Sequence, residues 1–276
     1  MNSLIKKIVV LGATSAIAQE VERLLGKDGT EFLLVARSPQ RLQELQADLR
    51  VRGAGSVLTF CADLAEPAQH MAVVGFADQQ FSDFDTVLLA YGTLSDQQEC
   101  QHSLSAAMAE LNTNFTSAAA LLTLFADYLE PRGWGCIAAI TSVAGDRGRR
   151  SNYVYGAAKG GLSLFLQGLR SRLHPSGVQV ITIKPGPVDT PMTAQIARKS
   201  MMSSPSVVAG DICRALKRRS PEVLYTPAIW RYIMFAVRSI PEPIFKRLGG
   251  KLPHSSDTSN GSGFQPDSAI STQKSK

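Results

Sequence analysis

Seven short, uninterrupted apolar runs, most of them followed by a longer stretch of helical periodicity, limit what this chain can fold into. The runs are KKIVVLG at 6–12, EFLLVA at 31–36, SVLTFC at 56–61, DTVLLA at 85–90, GCIAAITS at 135–142, VQVITIKPG at 178–186 and EVLYT at 222–226. Helical patterns fill 15–27, 39–52, 67–80, 104–130, 152–173 and 205–218. A strand with one wet face alternates polar and apolar residues, and these runs do not. Continuous apolar strands separated by helices are expected where helices cover both faces of a parallel sheet. The pattern predicts an α/β chain with a Rossmann-like, doubly wound parallel sheet of about seven strands.

The 276 residues divide into 1–227 as that domain, 228–251 as a basic amphipathic helical extension, and 252–276 as a polar tail expected to be disordered. The opening MNSLIKKIVVLGATS runs straight into a glycine turn and does not read as a secretory signal. Cys61, Cys100, Cys136 and Cys213 are far apart without CxxC spacing, which points to a reducing, cytoplasmic compartment. His70, His102, His174 and His254 are equally scattered, so no metal site is expected.

Charge is uneven. Residues 198–251 hold eleven Lys or Arg against Asp211, Glu222 and Glu242, a net of +8, and the rest carries −2 of the overall +6. A basic C-terminal third fits an anionic partner, with an ordinary solvated surface as the alternative. The partner expected here is an anionic membrane surface and not a nucleic acid.

After the first strand, LGATSAIA places Gly12 at a tight turn into a helix whose free N–H groups and positive dipole end suit a phosphate. Thr14, Ser15, Ala16 and Ile17 follow in that turn. This is not the GxGxxG fingerprint, because Ala16 and Ala18 stand where glycines are usual. At the end of strand two comes Arg37 and no acid; an arginine can pair with a ribose 2′-phosphate that an acid would repel. At the end of strand three, Asp63-Leu64 offers an acceptor for an adenine amino group. The expected cofactor is NADP, with NAD as the alternative.

In SNYVYGAAKGG at 151–161, Tyr155 and Lys159 are i and i+4 on one helix face. Ser142 lies at the end of strand five, and Asn114 lies within the long helix before it. This array resembles the short-chain dehydrogenase/reductase family over roughly residues 5–227. KPGPVDTPM at 184–192 is similar to the family's segment against the nicotinamide half, which implies contacts from Pro185, Gly186, Val188 and Thr190. LAYG at 89–92 stands where NNAG is common, which places Ala90 and Gly92 at the cofactor. Leu11 also departs from the usual threonine.

The resemblance implies that Tyr155 protonates a carbonyl oxygen as hydride arrives, that Ser142 binds the same oxygen, that Lys159 holds the nicotinamide ribose, and that Asn114 supports a water-linked relay. A free tyrosine has a pKa near 10, and an ammonium one turn away is expected to lower it toward neutrality. Tyr153, lacking a paired lysine, is expected to pack or to wall the substrate. A catalytically silent cofactor-binding regulator is the reading that Ser142, Tyr155 and Lys159 argue against. The family usually assembles as dimers or tetramers, and the small residues of Ala118-Ala119-Ala120 and Gly156–Gly161 would admit a second copy.

A closer resemblance is carried by GDRGRRSNYVYGAAKGGL (145–162), YTPAIWRYIMFAVRSIPEPIFKRL (225–248) and AYGTLSD (90–96). These are similar to reductases of decaprenylphosphoryl 2-keto-erythro-pentose, which work with a partner oxidase to convert a ribose to an arabinose donor for the cell envelope. That implies a polyprenyl-phosphate keto sugar as substrate, with a soluble reductase of a small keto-compound or 3-oxoacyl group as the alternative. From Ala228 to Ile240, ten of thirteen residues are apolar, and Pro241 and Pro243 break the helix. That run falls short of the roughly 20 residues a bilayer span needs. It suits a peripheral place on the inner face of the cell membrane, through Trp230, Tyr232, Ile233, Phe235, Val237 and Phe245. A helix folded back on the core is the alternative.

Overall fold

In the first strand, Ile8 and Val10 turn to one face while Val9 and Leu11 turn to the other, and all four are fully buried. The same double burial repeats across the sheet, which is why the strands read as unbroken apolar runs. The computed structural model describes residues 5–194 and 202–249. The tail at 252–276 and part of the loop after Thr193 lie outside the described residues.

Seven strands, β1 (Lys7–Leu11), β2 (Glu31–Ala36), β3 (Val57–Cys61), β4 (Thr86–Leu89), β5 (Cys136–Ile140), β6 (Gln179–Pro185) and β7 (Val223–Thr226), form one parallel sheet in the order β3-β2-β1-β4-β5-β6-β7. Helices α1 (Ala16–Gly26), α2 (Pro39–Val51) and α8 (Pro205–Arg218) bury their apolar stripes on the Ile8/Val10 face. Helices α3 (His70–Gln80), α6 (Ser117–Leu129) and α7 (Tyr153–Leu173) cover the other. The strand order reverses between β1 and β4, and a crevice opens there beyond the carboxyl ends of the strands, the usual ligand position in such a sheet.

Three differences from the sequence reading bear on the site. The long helix expected at 104–130 is three pieces: α5 (Leu104–Leu111), a π-helical turn at Asn112–Thr116, and α6. A short helix, α4 (Gln97–His102), precedes it. After α9 (Ile229–Ser239), the chain turns at Ile240–Pro241 and continues as α10 (Glu242–Gly249). Pro243 sits in the first turn of α10, where its missing N–H has no helical partner to lose, so it starts a helix instead of ending one.

Candidate active site

The phosphate end of the crevice is built by close approach. Gly12 has φ +88°, and its amide donates to the Val35 carbonyl at 2.9 Å, which folds the turn onto the end of β2. A Cβ at Gly12 would stand 2.6 Å from Cβ of Tyr91, so no other residue fits this cradle. Ser15 Oγ accepts from the Ala18 amide at 3.2 Å and caps α1. The amides of Gly12, Ala13 and Ser15 are engaged within the turn, and those of Ala16 and Ile17 at the helix start have no acceptor among the described residues, which suits an anion there. The missing glycines at positions 16 and 18 therefore do not close the cradle. Asp63 Oδ1 accepts from the Ala65 amide at 3.0 Å, which holds the carboxylate at the end of β3.

One cavity of about 600 Å³ is lined by Gly12, Thr14, Ser15, Ala16, Ile17, Arg37, Asp63 and Leu64 at this end. The same cavity reaches Ala90, Gly92, Asn114, Ser142, Tyr155 and Lys159, and then Pro185, Gly186, Val188 and Thr190. All the site residues expected from sequence thus face a single space. Tyr153 lies outside it with 44% of its surface exposed, so it is no substrate wall.

Lys159 is buried, and its Nζ donates to the Ile140 carbonyl at 3.3 Å and stands 6.0 Å from the Tyr155 ring centre. Burial lowers its pKa to about 8, against the attraction of Glu110. The phenol moves opposite to the expectation. Burial pushes Tyr155 up to about 12, with the Ser142 hydroxyl opposing and Glu110 adding to the rise. Both charged forms are disfavoured by the same dry surroundings, and burial outweighs the other influences on each group. A protonated Tyr155 is the form that donates.

The π turn explains how Asn114 reaches the crevice. One wide turn at 112–116 rotates its side chain inward, where Nδ2 donates to Glu110 Oε1 at 2.9 Å and Oδ1 accepts from the Thr93 amide at 3.2 Å. Glu110 is 1% exposed, and its other oxygen accepts from the Thr93 and Ser95 hydroxyls, each at 2.6 Å. Sequence reasoning missed Glu110. Its signal was an acid in an apolar helix, four residues before Asn114. Arg41 was also missed; it lines the adenosine end beside Arg37 and donates to the Thr14 carbonyl at 3.2 Å.

The C-terminal segment braces the catalytic end. Trp230 and Met234 of α9 are buried against Val143, next to Ser142, with Tyr225, Ile233 and Val237 around them. The Trp230 indole lies so close to Gly186 that a Cβ there would be 1.9 Å from its Nε1. Arg147 donates to the Val237 and Ile240 carbonyls at 2.8 and 2.6 Å, pairs with Glu242 and covers the Phe245 ring. Of the six side chains expected at a membrane, Trp230 is buried in the fold and Ile233, Val237 and Phe245 are half-buried, so Tyr232 and Phe235 are the two that stand exposed. The α9 face left exposed is Ile229, Tyr232 and Phe235. Among the described residues no helix is long and apolar enough to cross a membrane, and no metal-binding cluster occurs.

The small residues expected to admit a second copy mostly serve this chain. Gly156 and Gly160 lie on Ala144 and Gly145, Gly161 on Phe115, and Ala118 and Ala158 are buried. Exposed apolar groups nearby are Leu104, Met108 and Leu164.

A parallel sheet whose crevice joins a glycine cradle to a Ser–Tyr–Lys set defines an oxidoreductase of the dinucleotide-binding class. The chain belongs to the short chain dehydrogenase family, whose sequence profile matches residues 6–200. It is 35% identical over 246 residues to an uncharacterized oxidoreductase of Streptomyces coelicolor, covering 88% of this chain and 96% of that one. An uncharacterized oxidoreductase of Mycobacterium tuberculosis is 33% identical over 241 residues, covering 87% and 96%. Among solved structures, a short-chain dehydrogenase from Sphingobium yanoikuyae in complex with NADPH superposes with a TM-score of 0.75 at 22% identity, covering 92% of this chain and 98% of that one.

Proposed function

We propose that the chain is an NADPH-dependent ketoreductase whose substrate is a 2-keto pentose on a polyprenyl phosphate, reduced to the arabino sugar. The observation that carries the reductase reading is the single cavity running from Arg37 and Arg41 at one end to Ser142, Tyr155 and Lys159 at the other. The residues fit a dinucleotide: a cradle with no room for a Cβ at Gly12, a carboxylate at Asp63, and two cations at the adenosine end. Two arginines, with Arg37 and not an acid at the end of β2, favour a 2′-phosphate, and the Sphingobium relative is one that binds NADPH.

When bound along this cavity, a reduced nicotinamide would supply the hydride. Ser142 binds the carbonyl oxygen, and Tyr155 gives its phenolic proton to that oxygen as negative charge develops. Lys159 holds its ammonium beside the phenolate so formed and would bind the nicotinamide ribose. Asn114, fixed by Glu110, holds the water that returns a proton to the tyrosine. Trp230 and Arg147 keep the Gly186 segment and the Ser142 loop in position.

The polyprenyl-phosphate substrate rests on the resemblance in 90–96, 145–162 and 225–248, and on the basic, partly apolar C-terminal surface. That surface would hold the enzyme at the inner face of the membrane, where a partner oxidase makes the 2-keto sugar. The domain division follows: 1–227 does the chemistry, and 228–251 braces and docks it. A homodimer through the surface carrying Leu104, Met108 and Leu164 completes the proposal. The test is NADPH consumption with farnesylphosphoryl 2-keto pentose against small ketones and 3-oxoacyl thioesters. Turnover confined to the small ketones or thioesters would replace the lipid-linked substrate by a soluble one.

A further inference from the structure

Two side chains at the Tyr155 end of the cavity have no task in the reaction described above. Arg149 lines the cavity, and the one acceptor its guanidinium reaches among the described residues is Met234 Sδ, at 3.5 Å. A thioether is a weak acceptor, and an arginine carries five N–H donors that cannot be shed by deprotonation. Its neighbours differ. Arg147 is fully engaged with the end of α9 and Glu242. The acid nearest in sequence, Asp146, has both oxygens taken, one by Lys184 Nζ and the other by the Tyr225 hydroxyl at 2.8 Å. Arg149 thus pairs with no carboxylate among the described residues. Burial lowers its pKa, with Asp146 opposing from a distance. Holding a half-buried cation without a partner is unfavourable, and an anion entering the cavity would relieve it.

Asn152 lines the same cavity three residues later. It occupies the N-cap position of α7 but makes no capping bond, and its Oδ1 is buried without a hydrogen-bond partner among the described residues. A sugar hydroxyl, which both donates and accepts, would satisfy that amide in either orientation.

We infer that Arg149 and Asn152 form a substrate subsite for a phosphate ester of a hydroxylated keto compound, with Arg149 on the phosphate and Asn152 on a hydroxyl. The inference rests on the ketoreductase reading and sharpens it, since it makes charge a determinant of substrate choice. The phosphate has two sources, the monoester of a free sugar phosphate or the diester of a lipid-linked sugar, and both carry the same oxygens to a guanidinium.

The experiment is calorimetric binding to the full chain loaded with NADPH, because an alcohol cannot react with the reduced cofactor. The probes are farnesylphosphoryl D-arabinofuranose, D-arabinose 5-phosphate and the neutral methyl D-arabinofuranoside. Charged probes are expected to bind about 10- to 100-fold tighter than the neutral one, the range for a hydrogen-bonded charge. R149M should erase that difference, and R149K should keep part of it. N152A should weaken all three probes alike. Melting temperature checks each variant, and R149Q serves as the uncharged replacement if R149M disturbs the packing on Met234. A tighter diester assigns the subsite to a lipid-linked sugar, and a tighter monoester to a free sugar phosphate. Equal binding of charged and neutral probes, no binding of charged probes at millimolar concentration, or a charge preference that survives R149M and R149Q overturns the subsite. Oxidation of the same probes with NADP⁺ judges the ketoreductase reading separately. Turnover without charge preference keeps the reductase and discards the subsite, whereas Arg149-dependent binding without turnover does the reverse.

Discussion

The carboxylate of Glu110 accepts from the side-chain amide of Asn114 at 2.9 Å, across one turn of helix and with both side chains buried. The contact orients the asparagine and places a negative charge near Lys159, where it supports the ammonium against burial. Glu110→Gln keeps the shape and removes the charge. It also turns an amide N–H₂ toward hydroxyls that now donate, so kcat should fall about 10-fold. The readout that separates positioning from simple destabilisation is the pH profile. Without the Glu110 charge, Lys159 should lose its proton below pH 8, so the alkaline limb of kcat/KM should move to lower pH. An unshifted limb would mean that Glu110 only holds the turn.

Tyr155→Phe keeps the ring and removes the donated proton. Turnover should drop by ~10²–10⁴ while NADPH still binds, as judged by nucleotide fluorescence. Retention of near-normal turnover would remove Tyr155 from the chemistry.

Why the tyrosine's pKa went unread, when its position did not, is instructive. The Tyr155/Lys159 spacing is visible because helical geometry fixes i and i+4 neighbours whatever surrounds them. The direction of the pKa shift depends on how dry the pocket is, which spacing does not encode. Strands were legible for a related reason: Ile8, Val9, Val10 and Leu11 are all buried, so the run is unbroken. The π turn at Asn112–Thr116 was hidden because NTNFT carries no distinct local signal, and it is held by tertiary bonds from Asn112 to Ala65 and from Asn114 to Thr93. Glu110, Arg149 and Asn152 needed three dimensions, since each is defined by what it does or does not touch.

Lys159 should also leave a mark on stability. Its folded pKa of about 8 lies below the ordinary 10.5, so above pH 8 the folded protein has released a proton that the unfolded chain still holds. The lysine therefore makes the ligand-free protein more stable as pH rises from about 8. Tyr155, with a folded pKa of about 12, acts in the opposite sense above pH 10. Cys136 and Cys213, with folded pKa pushed up to about 12 by burial, act as Tyr155 does from about pH 9. The lysine's share is therefore the difference between wild type and Lys159→Met in denaturant titrations between pH 8 and 10. The variant should gain less, or lose more, stability over that range. The same slope in the variant would assign the effect elsewhere.

Glu22 in α1 is wholly buried, and neither of its carboxylate oxygens has a partner among the described residues. Burial holds its pKa well above the ordinary 4.5, with Arg23 opposing weakly. The folded state keeps this proton after the unfolded chain has released it, so stability contributed at acid pH declines as pH rises above about 4.5. Glu22→Met fills the site without a polar group. It should melt higher at pH 7, by about 2–4 °C for each kcal/mol regained, and its stability should depend less on pH above 4.5. A lower melting temperature would mean that the carboxyl has a partner, such as a buried water.

The last prediction separates the two faces of α9. Inward, Trp230 fills the space over Gly186 and touches the loop of Ser142, so Trp230→Ala should lower the melting temperature and weaken NADPH binding together. Outward, Ile229, Tyr232 and Phe235 expose 57, 70 and 76% of their surface beside Arg231 and Arg238. Replacing all three by serine removes apolar surface from water without touching the core, so melting should hold. Anionic vesicles should sediment the wild type and release the triple variant. Each Lys or Arg near such a surface adds about 1 kcal/mol, weakened by salt. Insertion of the apolar groups resists salt, so 0.5 M salt (about a 4 Å screening length) should loosen attachment without abolishing it. The 11 residues of α9 allow it to lie in the interface but not to cross. If the triple variant melts and sediments as the wild type does, this face is no anchor. The C-terminal segment then acts only as a brace for the Gly186 and Ser142 loops, and the lipid-linked substrate rests on Arg149 and the resemblance alone.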